Sequence, residues 1–275
     1  MIMKNLMIPR CLLMALAVTC VPLASAQNGL PTAQPKRLTI IREQVKVGHG
    51  AGHARHEAGW PAALEKAKSP DYYIALTSMT GPTEAWYLIP SESHAAEAAS
   101  MKRDAKDPVL SAELDRLTLG DADFINAAIT IQTMGRPDLS LGKFPNVAKV
   151  RFFEASIFSV RQGQEEKMDS ILKTYAVVRK RVSPDASYRF YTVNAGMPDP
   201  TYIVIQSVED YGEFDRTMAE HAKVFESAKP EEKVIFDKWG EAVTRSETNR
   251  FRVDPVMSYV SREVRASDPE FWNGK

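Results

Sequence analysis

Apolar positions change their period along this chain, and each change marks an element. Leu38, Ile40, Ile41, Val45 and Val47 make Arg37 to Val47 a first strand. A helix is predicted from about Ala51 to Lys68. Strands at Tyr72 to Met79 and Glu84 to Ile89 flank Gly81-Pro82, a hairpin signal. Ser91 to Leu119 is helical in character but broken near Asp107-Pro108, because proline inside a helix removes a hydrogen bond. A fourth strand is expected between Ile129 and Ser140, its limits left open. Gly142 and Pro145 then mark a linker, and the order starts again. Val150 to Val160 reads as a strand. Met168, Ile171, Leu172, Tyr175 and Val178 recur at helical spacing, with Arg179-Lys180-Arg181 at the end that suits cations. Strands at Tyr188 to Val193 and Thr201 to Gln206 flank Gly196-Met197-Pro198. Helices at about Asp210 to Glu226 and Glu231 to Ser246 follow, then a strand near Val253 to Val260.

The second run repeats the first. Val47 and Val160, Gly50 and Gly163, Ser69 and Ser183, Gly81 and Gly196, Tyr87 and Tyr202 match at offsets of 113 to 115. Each copy reads β-α-β-β-α-β, the ferredoxin-like split unit. The expected division is residues 37–140 and 148–260, joined by 141–147, preceded by a tether at 27–36 and followed by a tail at 261–275. Gly81 and Gly196 are expected to occupy equivalent tight turns with positive φ.

The first 26 residues carry a different pattern. Lys4 and Arg10 precede an apolar stretch, Cys11 to Leu23, too short for a comfortable membrane span, and Ala24-Ser25-Ala26 offers small residues for cleavage. The segment reads as a cleaved signal peptide and predicts a periplasmic or secreted protein. Ala17-Val18-Thr19 is a poor approach to a lipidated Cys20. Cleavage after Ala26 would remove both cysteines, and with them any disulfide, thiol nucleophile or thiolate metal site. It would leave 33 basic residues (35 less Lys4 and Arg10) against 35 acidic ones. That balance provides no broad electrostatic footprint for nucleic acid or an anionic membrane surface. Oligomeric state is not set by these features.

In the order of its elements and its Gly-Pro hairpins the chain resembles the dimeric α+β barrel superfamily. That group includes antibiotic-biosynthesis-type monooxygenases, stress-responsive A/B-barrel proteins and NIPSNAP-like proteins. The resemblance covers residues 37–260 and rests on topology and duplication, not on a catalytic motif. It implies an α+β fold of two tandem ferredoxin-like units closing a barrel within one chain, with small ligands between sheet and helices. Members range from oxygenases to haem proteins, so the fold alone carries no function.

The conspicuous polar run is His49-Gly50-Ala51-Gly52-His53-Ala54-Arg55-His56-Glu57. On a helix His53, Glu57, Trp60 and Leu64 share one face, and the apolar pair should point inward. A carboxylate one turn from an imidazole fixes its tautomer and raises its basicity, the arrangement of a general base. His53 and Glu57 are therefore the candidate catalytic pair. Trp60, His49, His56, Tyr73 and Trp86 are candidates to line a ligand site. The competing reading is a solvated pair at a helix start. Zinc is disfavoured: it usually wants three or four protein ligands, and Gly50 and Gly52 keep His49 from joining the helix. No motif calls for a cofactor. His221 lacks any haem-attachment pattern, Asn194 reads as a turn residue, and there is no Walker loop, Gly-x-Gly-x-x-Gly or Gly-x-Ser-x-Gly. At an offset of 113, His49, His53 and Glu57 become Gln162, Glu166 and Ser170, so the repeat does not need the histidines. Three functions follow: a small-molecule-binding barrel, a cofactor-independent oxygenase or isomerase using the His/Glu pair, or an interaction module without a pocket.

Overall fold

The computed structural model describes residues 29–273; the expected signal peptide lies outside them. Eight antiparallel strands close into one barrel. They are β1 (Arg37–Val45), β2 (Tyr73–Ser78), β3 (Glu84–Ser91), β4 (Ile125–Leu141), β5 (Phe152–Val160), β6 (Tyr188–Ala195), β7 (Thr201–Val208) and β8 (Val243–Tyr259). Their order around the barrel is β1-β3-β2-β8-β5-β7-β6-β4. Each half of the chain thus contributes four adjacent strands, and β2–β8 and β4–β6 are the seams between halves.

Helices cover the outside of both halves. In the first they are α1 (Gly50–Glu57), α2 (Gly59–Ala67), α3 (His94–Asp104) and α4 (Pro108–Asp121). In the second they are α5 (Glu165–Val182), α6 (Glu213–Glu226), α7 (Pro230–Phe236) and α8 (Trp239–Ala242), and α9 (Arg262–Ser267) and α10 (Pro269–Trp272) follow β8. Local chemistry explains the breaks. Pro61 has no N–H to offer the Glu57 carbonyl, and the helix expected over 51–68 divides at Ala58. Asp107 caps α4 through the amides of Val109 and Leu110, with Pro108 in the first turn.

Strand alternation sorts the side chains. Leu38, Ile40, Ile74, Leu76, Trp86, Leu88 and Ile131 from one half meet Phe153, Ile157, Tyr191, Ile203, Phe251 and Val253 from the other in the barrel interior. On the outside, Val45, Tyr73, Ala75, Ala85, Tyr87, Met257 and Tyr259 pack beneath Ala54 and Leu64 of α1 and α2. Leu139, Val160, Met168, Leu172, Tyr188, Phe190 and Tyr202 form the corresponding layer of the second half.

Backbone hydrogen bonds show which positions correspond. Val45 N–H bonds the Thr83 carbonyl, and Val160 N–H bonds Pro200. Lys46 to Phe124 is matched by Arg161 to Ala242, His53 to His49 by Met168 to Gln164, and Gly135 to Lys36 by Val253 to Arg151. Register shifts fall at the same place, between Gln44 and Val45 and between Ser159 and Val160. Val45, not Val47, is therefore the partner of Val160, and Val47 is exposed in a loop. Gly48 and Gly163, with φ of 84° and 79°, take the position expected of Gly50 and Gly163. In β3 and β7 the same registers set Trp86 against Ile203 and Tyr87 against Val204, two residues from the expected Tyr202.

The helix expected to run from Glu231 to Ser246 ends at Ala242, because Val243 already pairs with Val160 at the start of the 17-residue strand β8. The tether is held as well. Gln34 Nε2 donates to the Phe190 carbonyl, and Leu30 packs against the barrel core. In the tail, Trp272 is buried and donates to the Ala148 carbonyl.

Both hairpin glycines have positive φ, 73° at Gly81 and 91° at Gly196. A Cβ at Gly196 would run into the Thr130 carbonyl on β4, which is rigid backbone; at Gly81 it would meet only the Asn249 side chain. Gly196→Ala is expected to cost about 2 kcal/mol or more and Gly81→Ala less. Paired urea melts measure the difference.

Candidate functional site

β1 alternates inward Leu38 and Ile40 with outward Ile41, Glu43 and Val45, which places a carboxylate between two apolar side chains of the outer face. α1 lies over that face and presents His53 and Glu57, one turn apart, downward onto it. All three are shut from solvent, with 7, 2 and 3% exposure for Glu43, His53 and Glu57. His53 Nε2 donates to Glu43 Oε2 at 2.9 Å and stands 4.0 Å from Glu57 Oε1. The Tyr87 hydroxyl, from β3, donates to Glu57 Oε2 at 2.8 Å and reaches Glu43 Oε2 at 3.2 Å. Glu57 Oε1 is buried without a partner.

A second, shallower set adjoins the first. His56 Nε2 lies 2.9 Å from both Asp121 Oδ1 and the Leu117 carbonyl. Its ring packs on Phe124 at 5.2 Å. α1 and α2 approach α4 and the residues after it closely because glycines face side chains across the gap: Gly52 meets Phe124, Gly59 meets Leu117 and Gly120 meets His56.

Three carboxylates, Glu43, Glu57 and Asp121, thus share one layer. Among the described residues, none of them pairs with a lysine or arginine. Lys46, the near cation, spends its Nζ on the carbonyls of Ala122 and Asp123. Burial first, then the charge of Glu43, pushes the Glu57 carboxyl up to about 9. Burial likewise raises Asp121, Tyr73 and Tyr87 above their ordinary ranges, and for the two tyrosines Glu57 and Glu43 add to it. The arrangement can hold a proton between carboxyl groups, orient an imidazole against a carboxylate, or take up a cation.

The candidate residues distribute unevenly around this centre. His53 and Glu57 lie in it, facing neither a cavity nor solvent but the sheet. Tyr73 borders it, 5.9 Å from Tyr87 ring to ring. His56 lies one step out. His49 caps α1 in solvent, edge-on to Phe124. Trp60 leaves the sheet and packs with Leu110, Leu114 and Leu117 of α4, its indole N–H buried without a partner. Trp86 points the opposite way, into the barrel, stacked 4.5 Å from Phe251 beneath the Arg42 guanidinium. Glu43, Tyr87 and Asp121 were not singled out in the sequence as site residues. Glu43 was legible as the one acidic residue among the outward residues of β1, whereas Asp121 depends on where α4 ends.

At one mouth of the barrel, Leu30, Leu38, Leu88, Phe153, Val147 and Tyr191 line an apolar cavity of about 70 Å³, away from the polar centre.

No family model matches this chain, and no curated protein matches it. Among solved structures, a proposed monooxygenase from Lactobacillus acidophilus NCFM aligns with a TM-score of 0.50 at 10% identity. The alignment covers 82% of this chain and 99% of that one. A mutant chlorite dismutase from Candidatus Nitrospira defluvii also gives a TM-score of 0.50, at 9% identity, over 86% of this chain and 96% of that one. The chain has their α+β barrel fold. At such identities the likeness reaches the fold and stops there.

A haem does not fit between the helices and the sheet of the second half. Leu139, Met168, Leu172, Tyr188 and Tyr202 fill the layer between its helices and sheet, with Phe158, Tyr175 and Trp239 packed against them. His221, on α6, bonds Tyr175 through Nδ1 at 2.7 Å.

Proposed function

We propose that this chain is a small-molecule-binding α+β barrel protein, built from two tandem ferredoxin-like units, with its reactive centre beneath α1 of the first unit. We infer further that residues 1–26 direct its export. One observation carries the reading. At the positions that correspond by backbone hydrogen bonds and register, the second unit replaces Glu43 with Phe158, His53 with Met168, Glu57 with Leu172 and Tyr87 with Val204. All four replacements belong to or pack against the apolar layer of that unit.

The second unit therefore folds with ordinary apolar packing where the first buries two carboxylates, an imidazole and a phenol. Buried polar and charged groups are held at a cost in stability unless their partners are complete, and Glu57 Oε1 has none. A polar centre that the fold does not require, retained against that cost, supports a role in binding or chemistry.

The test gives the first unit the character of the second, in the variant Glu43→Leu/His53→Met/Glu57→Leu/Tyr87→Phe. Thermal-shift screening with a panel of small organic acids and phenols is expected to find ligands that raise the melting temperature of the wild type and leave the variant unmoved. Equal shifts in both proteins would place binding elsewhere, the barrel-mouth cavity being the alternative.

A further inference from the structure

We propose that Glu43, His53 and Glu57 bind one divalent transition-metal ion of the Mn²⁺, Fe²⁺ or Zn²⁺ class, a proposal that rests on the site reading above. Three ligands converge from two elements: a carboxylate from β1, and an imidazole and a carboxylate from one face of α1. The three offer one ligand atom each, all within 4.8 Å of one another. Ligand atoms around an ion with bonds of about 2.1 Å stand roughly 3.0 to 3.4 Å apart. His53 Nε2 lies 2.9 Å from Glu43 Oε2 and 4.0 Å from Glu57 Oε1, so both of these separations are within an ångström of that range.

Three further features point the same way. Glu57 Oε1 is buried with no partner and faces the imidazole across the gap an ion would fill. The Tyr87 hydroxyl grips the other Glu57 oxygen and reaches Glu43, the outer contact that orients ligating carboxylates. The charge also closes: two carboxylates and a neutral imidazole balance a divalent cation, and neither carboxylate has a lysine or arginine partner among the described residues. An imidazole in the set selects against Mg²⁺ and Ca²⁺, which prefer all-oxygen shells, and no thiolate is present to select softer ions.

Three protein ligands leave a coordination position open, which is how metal sites that bind or activate a small molecule differ from closed structural ones. His56 and Asp121 stand beside Glu57 and would bound that open side. His56 keeps Nε2 on Asp121 and the Leu117 carbonyl, so it stays outside the shell. The site was invisible at the helix alone, because its third ligand comes not from His49 but from the strand beneath.

The experiment uses the mature chain, stripped with chelator and dialysed against Mn²⁺, Zn²⁺ or Mg²⁺, with bound metal read by elemental analysis and Mn²⁺ by electron paramagnetic resonance. The expected result is one Mn²⁺ or Zn²⁺ per chain, no retained Mg²⁺, and a higher melting temperature with metal. Glu57→Gln keeps the shape of the side chain and should weaken binding by about tenfold or more. The four-residue variant should bind none. A wild type that takes up no metal, beside a four-residue variant more stable than it, would overturn the metal site and leave the site reading standing. Metal retained by the variant would also overturn it, by placing the ion elsewhere. A wild type that takes up no metal, beside a variant less stable than it, would overturn both readings, because the cluster would then be structural.

Discussion

His53→Ala is expected to destabilise the protein by about 3 kcal/mol or more, an effect far above that of removing a surface histidine. The imidazole is buried and supplies the hydrogen bond to Glu43 Oε2. Removing it leaves Glu43 beside Glu57 with only the Tyr87 hydroxyl for support, and opens a void under α1. Losing one partner of a buried ionic cluster costs more than replacing the whole cluster, because the charge left behind cannot regain water. The seemingly gentle substitution is thus the damaging one. Denaturant unfolding of His53→Ala beside His49→Ala measures this, with His49→Ala expected within about 0.5 kcal/mol of the wild type because His49 lies in solvent. Equal, small effects from both would contradict the burial described here.

Trp86→Ala should cost about 3 to 5 kcal/mol for a different reason. Trp86 is among the largest fully buried side chains, stacked on Phe251 across the β2–β8 seam that joins the halves. Its indole N–H donates to Glu84 at 2.6 Å, and Arg42, which also pairs with Glu84, lies over its ring. Truncation empties the barrel interior and frees that polar pair from its cover. Because the residue faces the barrel and not the sheet–helix layer, metal binding per folded chain should be unchanged. Equilibrium unfolding combined with metal analysis of the folded fraction separates the two. A variant that stays stable yet loses the metal would put Trp86 at the site after all.

The element order and the hairpins were legible because each rests on a local signal: alternation in β1 and β5, helical spacing from Met168 to Val178, and glycine at 81 and 196 where φ is positive. The full lengths of β4 and β8 were not: strand was expected only between Ile129 and Ser140 and near Val253 to Val260. Polar residues fill β8 from Thr244 to Arg250, and its strand character comes from pairing with β5, a partner far away in sequence. The recurring hydrogen bonds and registers set Val45, Gly48 and Val204 where the sequence offsets set Val47, Gly50 and Tyr202. His53 and Glu57 could be found from helical geometry, which puts them on the same face as Leu64. Trp60 could not be placed, because α4 draws it aside toward Leu110 and Leu117. Glu43 and Tyr87 reach the histidine only through the packing of α1 on the sheet, and nothing in a single sequence states which strand residue a helix will cover.

The central claim is that the first unit carries, at a cost in stability, a polar centre that its fold does not need. Equilibrium urea unfolding of the chelator-treated wild type against Glu43→Leu/His53→Met/Glu57→Leu/Tyr87→Phe tests it most directly. The account predicts that the four-residue variant is more stable, by about 1 to 4 kcal/mol, as when buried ionic groups give way to apolar ones of similar volume. The melting temperature should then rise by roughly 2 to 4 °C per kcal/mol for a chain of this size. A variant that unfolds at lower urea than the wild type would show that Glu43, His53, Glu57 and Tyr87 hold the first unit together, and would contradict the account.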